Sequence, residues 1–164
     1  MLLFEGDFKN YDASTQQECY NFGVAVVVAE VARRMGWSKR DIRMLVKVVQ
    51  AYPHCLLLID GFAMLMWMST LSGVISTDLV NGIIVWLLLC IVWHWVVKQP
   101  FRGNVALVCL GDDHLGGVRD SMRKSFSPDR IVEIFSLVGM IYTNADKTKD
   151  FAGFYKKPSE AKFL

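Results

Sequence analysis

Two carboxylates stand side by side in the stretch VALVCLGDDHLGGV, residues Val105 to Val118. Strand-forming residues lead to Gly111, Asp112 and Asp113 follow, and a second apolar run closes the stretch, as in a hairpin with acids at its tip. Two unit charges about 4 Å apart repel by about 4 kcal/mol at an effective dielectric near 20. Water at an exposed turn, a shared proton or a divalent cation would each offset that repulsion. Three further clusters have spacings that chemistry could use. DFKNYD sets Asp7 and Asp12 five apart after a short apolar strand. SGVISTDLVN brings Ser72, Gly73, Thr77 and Asn81 to a helix entry, where Thr77 and Asn81, four apart, share a helical face. TNADK ends in Lys147. Taken singly, these read equally as a solvated turn, a polar loop, a capped helix start and a surface lysine.

The elements that must position these residues follow from local signals. Leu2 to Glu5 is a short apolar strand, and the polar GDFKNYDAS after it reads as a turn. Ser14-x-x-Gln17 has the capping-box spacing and opens a long helix from Thr15 to Met35, which Gly36 ends. Ser38-x-x-Asp41 opens a second helix to about Ala51, with Ile42, Leu45, Val46 and Val49 on one face, and Pro53 stops it. CLLLIDGFAMLMW is two apolar runs around Asp60-Gly61, a strong hairpin signal. A loop then leads into the apolar segment Ile83 to Val97, which Pro100, Gly103 and Asn104 break before the acid-tipped hairpin. Ser127-Pro128 starts a helix that ends at Gly139, MIYT is a short strand, and Asn144 to Asp150 is a polar loop. Hairpins pair antiparallel, so the class expected is α+β, an antiparallel sheet of hairpins packed against helices.

A chain of 164 residues suggests one domain, and a net charge of +2 is too small to argue for nucleic acid by itself. Apolar residues make up 53% and charged residues 21%, which points to a membrane segment, a large core, or apolar faces that other parts of a protein cover. Cys19, Cys55, Cys90 and Cys109 are scattered in apolar runs without a C-x-x-C pair, against a disulfide framework or a zinc site. Met1-Leu2-Leu3-Phe4 is followed at once by Glu5 and Asp7, so no signal peptide is expected. Leu79 to Val97 is uncharged and long enough to span a bilayer, with Trp86, Trp93 and Trp95 as interface anchors on that reading. Asn81 and His94 inside the span, and the absence of a basic flank, favour a buried core helix.

The order of the clusters is more specific than any one of them. A strand-end D-x4-D, then S-G-x3-T-x3-N, then a G-D-D hairpin, then a helix and a T-x-A-D-K loop resembles the palm of RNA-dependent RNA polymerases of positive-strand RNA viruses, nearest the picornavirus-like group (Picornavirales). Residues 7–14 resemble motif A, 72–81 motif B, 110–113 motif C and 127–147 motif D, so the likeness spans nearly all of residues 1–164. Three positions depart from the pattern: Leu110 stands where tyrosine is common, Leu71 where proline is, and Gly82 where serine is. These alter packing and not the acids.

The resemblance implies template-directed RNA synthesis by two-metal nucleotidyl transfer to a primer 3′-hydroxyl. Asp7, Asp112 and Asp113 would ligate two Mg²⁺ ions, with Mn²⁺ as a substitute, and Asp112 would face Asp7 across the strands. Hard Mg²⁺ takes oxygen ligands, which is consistent with this set. Asp12 and Asn81 would read the ribose 2′-hydroxyl, with Thr77 positioning them. Ser72 and Gly73 would touch template and nascent pair, the backbone of 8–11 would lie beside the triphosphate, and Lys147 would protonate the leaving pyrophosphate. Implied partners are RNA template and primer, ribonucleoside triphosphates, the polymerase's fingers and thumb, and other viral replication proteins. The implied setting is the host cytoplasm at membrane-associated replication complexes. No basic fingers motif is found, and the terminal KFL resembles the opening of a further motif, so the expectation is a palm fragment, inactive alone. His114 and Lys9 read as a plain turn or strand residue and a solvated lysine. A reverse transcriptase would carry a bulky aromatic where Asp12 stands; a small membrane protein anchored by 79–97 and a non-catalytic interaction domain are the other rivals.

Overall fold

Strand β1 (Leu2–Lys9) runs straight through the first acid. The expected strand ended at Glu5, with a turn after it, because Gly6, Asp7, Lys9 and Asn10 are poor strand formers. Pairing on both sides overrides that propensity: Leu2 to Gly6 pair with one neighbour strand and Asp7 to Lys9 with another. Asn10, at φ 54°, makes the break, as a residue that tolerates the left-handed region. This computed structural model describes residues 1–14, 18–51, 54–67, 77–144 and 157–160. They fall into two compact units, one of Met1–Tyr11 with Asn81–Leu164 and one of Asp12–Val80.

The first unit is built on a four-stranded antiparallel sheet. β4 (Val105–Leu110) and β5 (Asp113–Val118) form the expected hairpin, and the strand order is β4-β5-β1-β6, with β6 at Ile141–Thr143. Two helices supply the core. α4 (Thr77–Val96) is long and apolar enough to cross a membrane by length and composition. From Asn81 onward it buries a single stripe, Asn81, Ile84, Val85, Leu89, Val92 and Trp93, at helical spacing. The Trp93 ring meets Phe101 and Phe126 edge-on, and its Nε1–H donates to the Gln99 carbonyl at 2.7 Å. α5 (Pro128–Leu137) starts as its sequence indicates: Ser127 Oγ accepts from the Arg130 N–H at 3.4 Å, with proline at the first helical position. It ends in a Schellman turn, with Met140 N–H donating to the Phe135 carbonyl, Gly139 N–H to the Ser136 carbonyl, and Gly139 at φ 77°. Phe135 on α5 packs against Phe8 and Tyr142 of the sheet.

The second unit departs from the sequence reading at its first helix. Of the single helix expected over 15–35, residues 15–17 lie outside the described residues; the rest is a π-helical stretch Cys19–Val24 followed by α2 (Ala25–Arg34), and a short α1 (Tyr11–Ser14) precedes it. Ser14 is the last residue of α1. Gly23 falls in the wide π turn. Gly36 ends α2 as expected, with Trp37 N–H on the Ala32 carbonyl and Gly36 N–H on the Arg33 carbonyl. Ser38 Oγ accepts from the Asp41 N–H at 3.2 Å at the start of α3 (Lys39–Ala51). β2 (His54–Ile59) and β3 (Phe62–Trp67) pair around Asp60-Gly61, where φ is positive at both turn residues, as a type I′ turn needs.

Candidate active site

The acid-tipped hairpin closes with a two-residue turn. Leu110 pairs with Asp113, so Gly111 and Asp112 are the turn residues. Gly111 has φ 64° and Asp112 has no positive φ, the type II′ signature with glycine first. The two acids therefore differ in kind: Asp112 is a turn residue and Asp113 opens β5. The β1–β5 register pairs Glu5 with Leu115 and Gly6 with His114, so the next step sets Asp7 level with Asp113. This corrects the expectation that Asp112 faces Asp7 directly. A turn residue has no cross-strand partner, so the register neighbour of Asp7 is the acid after it.

Strand alternation gives the sheet two chemically distinct faces. Glu5, Asp7, Asp113 and Thr143 point to one, and Phe4, Gly6, Phe8, His114 and Tyr142 to the other. Asp7, 3% exposed, accepts the Phe8 N–H on Oδ1 at 2.8 Å, and its carbonyl accepts the Thr143 hydroxyl at 3.4 Å. On the aromatic face His114 is fully enclosed, its ring set against Phe4, Phe8 and Tyr142. Nδ1 lies 3.1 Å from the Asp112 carbonyl and Nε2 lies 2.7 Å from the Tyr142 hydroxyl. A carbonyl only accepts, so Nδ1 carries the proton and the bare Nε2 accepts from Tyr142. Burial pushes the imidazole down to about 4, against the opposing pull of the Asp112 carbonyl and the Asp7 charge. Burial likewise holds the Tyr142 phenol well above its usual range and pushes the Cys109 thiol up to about 11.

Asn81 begins the first unit's part of α4, buried, with its carbonyl accepting the Tyr11 hydroxyl at 3.3 Å. Among the described residues its side-chain Oδ1 has no hydrogen-bond partner. Gly82 places this turn of the helix against the hairpin: a Cβ there would lie 3.4 Å from Cys109 Cβ and 3.8 Å from the Gly111 carbonyl oxygen. Thus Asp7, Asn81, Asp112 and Asp113 belong to one unit. Thr77, buried, is the first residue of α4, and Asp12 is the second residue of α1; both belong to the other unit. Ser72, Gly73 and Lys147 lie outside the described residues, as does Leu71. Lys9 is exposed, as expected.

The model of the viral RNA-dependent RNA polymerase family matches residues 2–164. The chain belongs to that family. It is 33% identical over 109 residues to the genome polyprotein of Deformed wing virus, a match that takes in 57% of this chain and 4% of the polyprotein. Its fold is that of part of the Sicinivirus 3Dpol RNA dependent RNA polymerase, with a TM-score of 0.73 at 17% identity, over 94% of this chain and 31% of that one. The chain thus spans a small part of each, and both relatives fall in the picornavirus-like group that the motifs resemble.

Polymerases of this family use divalent metal ions, and the donor set here suits a hard cation. Asp7, Asp112 and Asp113 offer only carboxylate oxygens, and they come from a strand, a turn and the neighbouring strand. Among the described residues no three His, Cys, Asp or Glu side chains converge into a ready cage. Mg²⁺ needs no such cage, since it is commonly held by one or two carboxylates with waters and phosphates. The residues therefore fit the ion in kind. Three residues beside these acids are given no role by the sequence: His114, Tyr142 and Gly6. The space where a Gly6 Cβ would sit is taken by the Tyr142 ring and hydroxyl. A glycine in mid-strand was the available signal, because it marks a close approach by another group.

Proposed function

We propose that this chain forms the catalytic palm of a viral polymerase that copies RNA by nucleotidyl transfer. A primer 3′-hydroxyl attacks the α-phosphate of a ribonucleoside triphosphate, the bond to the bridging oxygen breaks, and pyrophosphate leaves. The observation that carries this reading is the level placement of Asp7 and Asp113 across β1 and β5, with Asp112 in the turn between strands. These acids would hold two Mg²⁺ ions, with Mn²⁺ as a substitute. When bound, the ions supply positive charge at the attacking and leaving oxygens.

The chain's other residues do the positioning. Asn81, whose buried Oδ1 has no hydrogen-bond partner among the described residues, and Asp12 bind the ribose 2′-hydroxyl, and Thr77 orients them. The backbone of 8–11 lies beside the triphosphate. Ser72 and Gly73 contact template and nascent pair. Lys147 delivers a proton to the pyrophosphate oxygen as it leaves. Partners are RNA template and primer, the fingers and thumb of the same polymerase and other viral replication proteins. The setting is the host cytoplasm at membrane-associated replication complexes, with α4 a core helix and not a membrane anchor.

The test is templated incorporation by a full-length polymerase that contains these residues. Asp112→Ala should abolish synthesis, and retained synthesis would reject Asp112 as a metal ligand. The isolated 164 residues should incorporate nothing; incorporation by them would reject the fragment reading.

A further inference from the structure

We propose that His114 is a positioning residue for the carboxylate turn, held by Tyr142 across the gap left by Gly6 and fastened to the Asp112 carbonyl. The proposal rests on the polymerase reading above only in taking Asp112 and Asp113 as the working acids.

Its geometry joins four pieces of chain. Gly6 on β1 and His114 on β5 are register partners. Tyr142 on β6 pairs with Phe8 and leans diagonally over Gly6, filling the place of its side chain. From there its hydroxyl reaches His114 Nε2 at 2.7 Å, and His114 Nδ1–H donates back along its own strand to the Asp112 carbonyl at 3.1 Å. That carbonyl belongs to the peptide joining Asp112 to Asp113. Fixing this plane restrains ψ of the first acid and φ of the second, and so the direction in which both carboxylates leave the backbone. The N–H of the same peptide is that of Asp113, which pairs with Leu110 at the base of the turn, so the plane is held on its amide side by the hairpin and on its carbonyl side by His114. The link also runs through the sheet from its aromatic face, so it occupies no oxygen of either carboxylate.

Packing makes the link stiff. The imidazole is walled by Phe4, Phe8 and Tyr142, so water does not compete for its two nitrogens. Both partners have a single way to bond: the carbonyl only accepts, and the buried phenol must donate to be satisfied with a bare nitrogen. The His–Tyr pair thereby fixes the tautomer, as the outer partner of a metal-ligating group commonly does for its inner one.

The experiment uses the full-length polymerase and has three readouts: Mg²⁺ binding by calorimetry, templated incorporation as a function of Mg²⁺, and the ¹⁵N spectrum of the labelled histidines. His114 should show Nδ1 protonated and Nε2 bare, and a bare Nδ1 would overturn the proposal outright. His114→Leu should weaken Mg²⁺ binding by about 10- to 100-fold, the usual penalty for losing a hydrogen-bonded support of a metal site. Asn places an N–H where Nδ1–H stands, so His114→Asn should recover most of that loss. Tyr142→Phe removes one oxygen atom from the site and should weaken Mg²⁺ binding in the same direction while the protein stays folded by circular dichroism. If His114→Leu proves unfolded, Tyr142→Phe and His114→Asn carry the comparison. Unchanged Mg²⁺ affinity in Tyr142→Phe, or His114→Asn no better than His114→Leu, would overturn the positioning role. A wild-type protein that binds Mg²⁺ through Asp112 but copies no template would instead overturn the polymerase reading and leave this one standing.

Discussion

Asp7 and Asp113 stand level across the β1–β5 register, one step past the Gly6–His114 pair, and share the acidic face of the sheet. Like charges directly opposite on neighbouring strands destabilise a sheet by about 0.2–1 kcal/mol. In metal-free protein, Asp7→Asn or Asp113→Asn should therefore raise the melting temperature by about 1–3 °C. The same variants should lose templated incorporation by at least about 100-fold, the scale of removing one preorganised electrostatic group. Calorimetry in chelator paired with a primer-extension assay checks both halves. A variant that is neither more stable nor less active would show that the two acids do not share a site.

Gly6 has no room for a side chain, because the Tyr142 ring and hydroxyl already occupy the position. Gly6→Ala should destabilise the fold by about 1–3 kcal/mol through overpacking. Tyr142→Leu in the same protein should restore part of the loss, so the two changes are non-additive in a double-mutant cycle. Gly116 faces the same constraint from the Phe4 ring. Thermal melts of the four proteins of the cycle measure the coupling, and strict additivity would disprove the contact.

Asn81 carries a buried side-chain oxygen with no hydrogen-bond partner among the described residues. On the proposed function a ribose hydroxyl satisfies it. Asn81→Ala should lower the preference for ribo- over deoxyribonucleotides by about tenfold, near the free energy of one hydrogen bond. Competition between paired nucleotides in a primer-extension assay reads this directly. An unchanged ratio would remove Asn81 from sugar selection.

Burial raises the thiols of Cys90 and Cys109 from 9.0 to about 11. Between those values the unfolded chain has lost protons that the folded chain keeps, so stability falls as pH rises through this window. It is fully present below pH 9, where both states hold the thiol proton. At pH 8 both thiols should also alkylate slowly in folded protein and quickly in denaturant. Denaturant melts across the pH range, repeated on Cys90→Ala and Cys109→Ala, should show the alkaline loss shrinking in each variant.

Much of this protein is written locally. Proline after Ser127, glycine at positions 36 and 139, Asp60-Gly61 and Gly111-Asp112 each act on backbone within a few residues, and the helices and hairpins begin or end where they stand. The spacing of the acids, of Thr77 and Asn81 and of the G-D-D turn is legible for the same reason, and it led to the family. Tertiary pairing decided the rest. β1 extends past Glu5 only because two strands flank it, and Cys19–Val24 winds wide against local preference. Which acid stands beside Asp7 depends on register between residues about a hundred positions apart, and a shift of one would exchange the faces of every side chain. His114 looked like an ordinary turn neighbour because its partner, Tyr142, lies 28 residues further along the chain. Local chemistry chose the parts, and the order β4-β5-β1-β6, which no short-range signal encodes, chose which of them meet.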